Sequence, residues 1–463
     1  MTPLLKSACC AICLLVVHTL GAQDSGLVPD VSAKQEYWAR FDHKDWAAAV
    51  EAAQVLVAAA RKEHAAPVEL AEALELLGGA QLRNADLAGA EASFKEALAL
   101  VEAAEGRASG LTLEPLRGLG FTLAARNRHA EAVPYLDRAL LISHRTHGLF
   151  DESQGPILKQ LASSLTYSGQ ALVAERHVKF LLQVGERAYG QDDPRLVPLM
   201  CEVGDWQAEV GNFDKARRQY RDAIRLVEEK FGKEHPAIVL PLRRLASSYP
   251  KQYIFFAKGF LDPEMARSES ASHELPYKRN PRHIDSEGQR ALLRALDVLN
   301  AQPDPSQTLL AETLVDVGDW FQFKQDAQKA LPYYRQAAQI LAAMRSAAPD
   351  TTPDPLAFPA LIYYPVPHAI ARGNRLAPDQ REEAFVQMEF DVSSDGTVQN
   401  AVVTDSNTYP RHISEILDAI KDARFRPEFA DGEPVATTRL QLRETYPVKR
   451  LPKSETSETE DPS

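Results

Sequence analysis

Few residues of this 463-residue chain are spaced for chemistry. His144-Arg145-Thr146-His147 puts two imidazoles one helical turn apart, a spacing that zinc accepts. No carboxylate or Cys set completes such a site, and a helix ending before Gly148 accounts for the basic residues through its dipole. Gly118-Leu119-Gly120 lacks the preceding strand and the third glycine that a dinucleotide loop requires. No Gly-x-Ser-x-Gly elbow, Walker loop or His-Glu-x-x-His is present. Cys9, Cys10 and Cys13 fall in an N-terminal apolar run, which leaves Cys201 alone in a helical pattern, where it reads as a core thiol. The residues therefore predict no catalytic group, no metal and no cofactor, and a protein that is not an enzyme.

Binding is what remains. The formal net charge of −12 supplies no basic stripe to displace counterions from phosphates, so nucleic acid is excluded as a partner. The candidates for holding a polypeptide are mixed charges and aromatics, Arg83, Arg117, Phe121, Lys159, Tyr167, Asp205 and Glu209, and they must be positioned by the elements around them. Those elements repeat. Gly78, Gly120, Ala162, Gly204 and Ala246 follow one another at intervals of 42, each preceded by Leu or Val. Ala90, Ala132, Ala174 and Ala216 come 12 residues after the first four of these, followed by pairs such as Phe94 with Ala97 and Tyr220 with Ala223. Small residues allow helices to cross closely, and apolar groups at i+4 and i+7 supply the buried stripe, so each unit is a pair of helices. One pair cannot cover both of its faces, and stacking completes the core.

Leu77, Gly78, Ala90, Phe94 and Ala97 resemble the tetratricopeptide repeat, in the long form similar to kinesin light chain repeats. The usual repeat has about 34 residues, and the excess here implies roughly one added turn on each helix. The resemblance implies an all-α superhelical solenoid whose groove binds a protein or peptide, with the seven residues named above lining it. The first unit shows mainly through its second helix, at Trp46, Ala48, Ala52 and Val55. A later unit runs through Leu314, Val317, Gly318, Phe321, Ala330, Tyr334 and Ala337, and Val203-Gly204-Asp205-Trp206 recurs there as Val317-Gly318-Asp319-Trp320.

The domain plan is as follows. Residues 1–22 have Lys6, the apolar run Ala8 to Val17 and the small residues Thr19-Leu20-Gly21-Ala22, the marks of a secretory signal. Repeats occupy 31–249. Residues 250–285 are an insertion with Tyr253, Phe255, Phe256 and Phe260, aromatics that cap the solenoid or touch a partner. Residues 286–346 hold a delayed second helix and the final repeat. Pro349, Pro353, Pro355 and Pro359 punctuate 347–358, a stiff extended linker. A tail at 449–463 is acidic and disordered in expectation.

From 359 to 448 the period changes to two. Val386, Met388, Phe390 and Val392 alternate with polar residues, Asp395-Gly396 turns the chain, and Val398 to Val403 returns. Ile413, Ile416, Leu417 and Ile420 then place one helical stripe on the sheet, and Val435 to Leu442 adds a last strand. The result is a small antiparallel α+β domain. Tyr364-Pro365, Phe390-Asp391-Val392, Asp395-Gly396, Ala423-Arg424-Phe425-Arg426-Pro427 and Gly432-Glu433-Pro434-Val435 resemble the TonB C-terminal domain. That resemblance implies capture of an outer-membrane receptor's extended segment by strand addition at Thr437, Arg439, Gln441 and Arg443, beside Tyr364 and Pro365.

The chain departs from the transducer pattern. The residue four before His18 is Leu14 rather than Ser, and the long Pro-rich spacer is missing. The expectation is a non-enzymatic periplasmic adaptor that meets membranes only indirectly. Two alternatives stay open. One is an energy transducer whose uncleaved N-terminus stays in the inner membrane. The other is an accessory subunit of an envelope enzyme.

Overall fold

The computed structural model describes residues 29–257, 286–347, 354–374 and 376–449. The expected signal segment, Phe260 with most of the insertion, and the tail from 450 on lie outside them. The chain divides into two compact units, Met1–Leu149 with Ser163–Ser168, and Phe150–Ala162 with Gly169–Ser463.

Helices pack in pairs: α1 (Pro29–Asp42) with α2 (Trp46–Lys62), α3 (Pro67–Arg83) with α4 (Leu87–Glu105), and α5 (Leu113–Ala125) with α6 (His129–His147); α7 (Gly155–Tyr167) and α8 (Ala171–Tyr189) follow in the chain, and then α9 (Val197–Glu209) packs with α10 (Phe213–Phe231), α11 (Val239–Ala257) with α12 (Glu287–Asn300), and α13 (Gln307–Phe323) with α14 (Ala327–Ala347). The glycines at the crossings are required by contact. A Cβ on Gly204 would lie 2.4 Å from the Tyr220 ring, and one on Gly318 would lie 2.3 Å from Tyr334.

Two expectations about the repeats need correction. The added turn on the first helix is not α-helical: α5, α7 and α9 have only 13 residues, and each follows a 3-10 turn. Ser109, Asp151 and Asp193 cap these three turns, and His235 caps the 3-10 turn before α11, each accepting from the backbone N–H two residues on. Gly106, Gly148, Gly190 and Gly232 end the preceding second helices at φ between 83° and 99°, where a side chain is disfavoured. In the first pair the fully buried alanines are Ala49 and Ala53, while Ala48 and Ala52 are only half-buried and Val55 is exposed. The cause is a register offset: α2 begins 41 residues before α4, while α4 begins 42 before α6.

The C-terminal domain contains β1 (Ala360–Tyr363), α15 (His368–Gly373), β2 (Arg381–Val392), β3 (Val398–Ser406), α16 (Pro410–Lys421), β4 (Arg424–Arg426), β5 (Glu428–Ala430), β6 (Glu433–Val435) and β7 (Thr437–Lys449). The main sheet has the antiparallel order β3-β2-β7, and β1-β4 and β5-β6 are separate pairs. Ala384, Val386, Met388, Phe390 and Val392 face a core shared with Ile416, Ile420, Phe425 and Tyr446.

The linker expectation also fails over its described part. Leu356 is 1% exposed in the core of the last repeats. Its carbonyl accepts from Phe429 N at 2.9 Å, and Asp354 forms an ion pair with Arg345. The C-terminal domain is seated on the final helix pair rather than held away from it, because Leu356 in this segment enters that pair's core.

Candidate functional site

The duplicated Gly-Asp-Trp motif builds two similar clasps. In α9 the Asp205 carboxylate accepts from the Tyr220 hydroxyl at 2.8 Å, and Arg244 of the next first helix stands 3.2 Å from its other oxygen. In α13 Asp319 accepts from Tyr334 at 2.8 Å. No further repeat follows there, and Arg426 of β4 takes the arginine's place, its Nε 3.2 Å from Asp319. Arg426 also donates to the Pro355 carbonyl at 3.0 Å. Burial pushes the Asp319 carboxyl up to about 6, against the lowering influence of Arg426 and Tyr334.

Other contacts reinforce this seat. Gln322, fully buried, donates to the Asp395 carbonyl at 2.8 Å. Gly396 sits at φ 82°, and a Cβ there would be 1.9 Å from the Phe425 carbonyl, so the turn needs glycine for its angle and for its close approach. Tyr253, Phe323 and Tyr363 form a buried ring cluster with centroids 5.6 to 6.2 Å apart. Phe255 and Phe256 pack edge-on against Phe213. Of the described aromatics of the expected insertion, Tyr253 is therefore buried, and Phe255 and Phe256 are partly buried against the core of the repeats.

β7 forms the border of the main sheet. Among the described residues no strand pairs with its outer side between Thr437 and Arg443. Asp391 pins irregularities in both neighbours of β2: it accepts from Asn400 Nδ2 at 2.7 Å and from Arg439 N at 2.9 Å, and both residues have positive φ. A bulge increases twist and re-aims the border. Arg439 and Gln441 are exposed on the outer face, and the Arg443 guanidinium lies 3.5 Å from the centroid of the Phe385 ring. Thr437 is half-buried and donates to Glu428 at 2.7 Å. Tyr364 and Pro365 are half-buried. The Tyr364 hydroxyl is buried without a partner, and burial, with Glu444 nearby, pushes its ionisation well above the usual phenol range. α15 closes on β7 at Pro447, whose carbonyl leaves no room for a Cβ on Gly373.

The expected groove residues are distributed over both units. In the first unit Arg83 is exposed, Arg117 pairs with Glu114 and lies 6.0 Å from the Phe121 ring, and Tyr167 stacks on His129 at 4.7 Å. In the second, Lys159 pairs with Glu202 at 2.6 Å and Glu209 is exposed. Asp205 belongs to its clasp. Cys201 is 2% exposed, and burial pushes its thiol up to about 12. Among the described residues no group of three or more His, Cys, Asp or Glu could hold a metal, and no helix is long and apolar enough to cross a membrane. Sequence reasoning missed the Asp–Tyr–Arg clasps. The recurrence of Gly-Asp-Trp, with a Tyr 16 residues after each glycine, was the available signal.

Comparison with known proteins names the parts. Two tetratricopeptide repeat models match residues 116–154 and 154–229, and the model of the Gram-negative bacterial TonB protein C-terminal matches 375–446. The chain therefore carries tetratricopeptide repeats and a TonB C-terminal domain. Among solved structures, the TPR-like repeats of a putative kinesin light chain from Podosopora anserina are 15% identical at TM-score 0.39, over 51% of this chain and 99% of that one. BtubC from P. vanneervenii is 17% identical at TM-score 0.30 (72% and 96%). The apo form of RapI is 12% identical at TM-score 0.40 (69% and 100%). No curated protein matches.

Proposed function

We propose that this chain is a non-enzymatic cell-envelope adaptor, exported to the periplasm, that grips an outer-membrane protein at β7 while its helical repeats hold a second protein or peptide. One observation carries the reading: β7 is a long border strand with an unpartnered side, on a domain anchored firmly to the repeats. Main-chain hydrogen bonds along such a border give grip on an extended segment, and the outer-face residues Arg439, Gln441 and Arg443 give selectivity.

Adjacent residues in a strand direct their N–H groups to opposite sides, so of Leu440 and Gln441 one donates toward β2 and the other outward. Full-length protein carrying Leu440→Pro or Gln441→Pro is tested for capture of outer-membrane proteins from detergent extracts. The outward substitution abolishes capture and leaves the melting curve unchanged. Undiminished capture by both variants refutes strand addition. The mass of the mature protein shows whether residues 1–22 are removed, and their retention favours the membrane-anchored transducer instead.

A further inference from the structure

A cavity of about 230 Å³ lies within the second unit, where α11, α12 and α13 meet β1 of the C-terminal domain. It is smaller than the ~300–1,000 Å³ of ordinary small-molecule sites, yet far larger than a water's ~30 Å³ share, so it suits one large side chain. Trp320 lines it at 3% exposure, and its indole N–H has no acceptor. Pro250, inside α11, has no N–H to give to the Ala246 carbonyl one turn back, and both residues line the cavity. A buried donor without an acceptor and a helix carbonyl deprived of its usual donor are unmet polar groups in the residues of this wall.

The charges select further. Arg243 is engaged by Asp316 and Glu312. Lys251, also lining the cavity, is exposed and has no ion-pair partner among the described residues. At the mouth, β1 pairs with β4 on one side only, and Leu361 is 44% exposed.

We propose that this cavity is a second peptide-binding site, which takes an extended segment along β1, seats one large apolar side chain between Pro250 and Trp320, and pairs a neighbouring Asp or Glu of that segment with Lys251. The site is built by both modules together and goes beyond strand capture at β7.

The test uses the full chain on an array of octapeptides with a Ser/Thr background, in which two adjacent central positions run through all residue types. Pairs of a large apolar residue with Asp or Glu bind best, and replacing the apolar residue by Ser weakens binding about tenfold or more, as expected for loss of one buried side chain. Lys251→Glu shifts the preference from Asp or Glu to Lys or Arg, with a change of about threefold at each, the scale of a partly exposed pair. Leu361→Asp suppresses the apolar preference. Both positions are exposed, and an unchanged melting curve certifies each fold. An array without apolar preference, or a pattern unaltered by both variants, overturns the proposal. Loss of the pattern in the outward β7 proline variant also overturns it, because the peptides would then be reporting β7.

Discussion

Arg426→Met removes a guanidinium from a seat that keeps room for its stem, and its cost can be scaled against Arg244→Met in the parallel clasp. Both arginines stand 3.2 Å from an aspartate that also accepts from a tyrosine at 2.8 Å. They differ in exposure: the Arg426 side chain is 13% exposed, the Arg244 side chain 43%. Removing one partner of a buried pair costs about 3–5 kcal/mol, while an exposed pair contributes about 0.2–1 kcal/mol. Asp319 keeps its tyrosine and retains 27% exposure, so the cost falls between the two ranges and just below the buried one, about 2–3 kcal/mol. That cost falls on the docking of the C-terminal domain, since Arg426 also holds the Pro355 carbonyl. Native-state hydrogen exchange reads it directly: amides of β1 and β4 should lose protection by about 30- to 150-fold in Arg426→Met, at about 1.4 kcal/mol per tenfold. In Arg244→Met the same amides should change by less than about fivefold. Equal losses in the two variants, or none in the first, would refute the idea that Arg426 replaces a missing repeat's arginine.

The remaining predictions concern the same seat and the repeats. The Asp319 carboxyl is raised by burial to about 6 from an unfolded value of 3.8, so its contribution favours the folded state below about pH 4 and is lost as pH rises through 6; Asp319→Asn should flatten denaturation midpoints across that window. Glu75 is raised to about 8 by burial and by Glu114 and Glu72, so Glu75→Gln should be neutral near pH 4 and stabilising at pH 8 to 9 in thermal melts. Gly318→Ala, whose Cβ would meet Tyr334 at 2.3 Å, should destabilise by about 1–3 kcal/mol in urea titrations. Gly79→Ala, with its nearest neighbour at 3.7 Å, should be neutral or stabilising by up to about 1 kcal/mol.

The repeats were legible because each position recurs in the same surroundings: Gly204 and Gly318 are small for one reason, the ring of Tyr220 or Tyr334 above them. The strands were legible because Val386, Met388, Phe390 and Val392 alternate on one buried face. The one-residue offset of the first helix pair was not, since Ala48, Ala49, Ala52 and Ala53 are interchangeable in pattern and only packing selects two of them. The prolines at 353, 355 and 359 spoke for an extended spacer, yet Leu356 between them found a core. Of the candidate binding residues, Arg439, Gln441 and Arg443 proved to stand on the outer face of a border strand, while Asp205 was already committed to Tyr220 and Arg244.

Periodicity alone determined that the chain stacks helix pairs and ends in a small sheet, because burial of a repeated apolar stripe is a local demand that every unit states again. Where the last unit finds its missing neighbour was decided only in three dimensions. Asp319 and Arg426 are 107 positions apart, no rhythm links them, and what unites them is the cost of leaving a carboxylate buried without a cation.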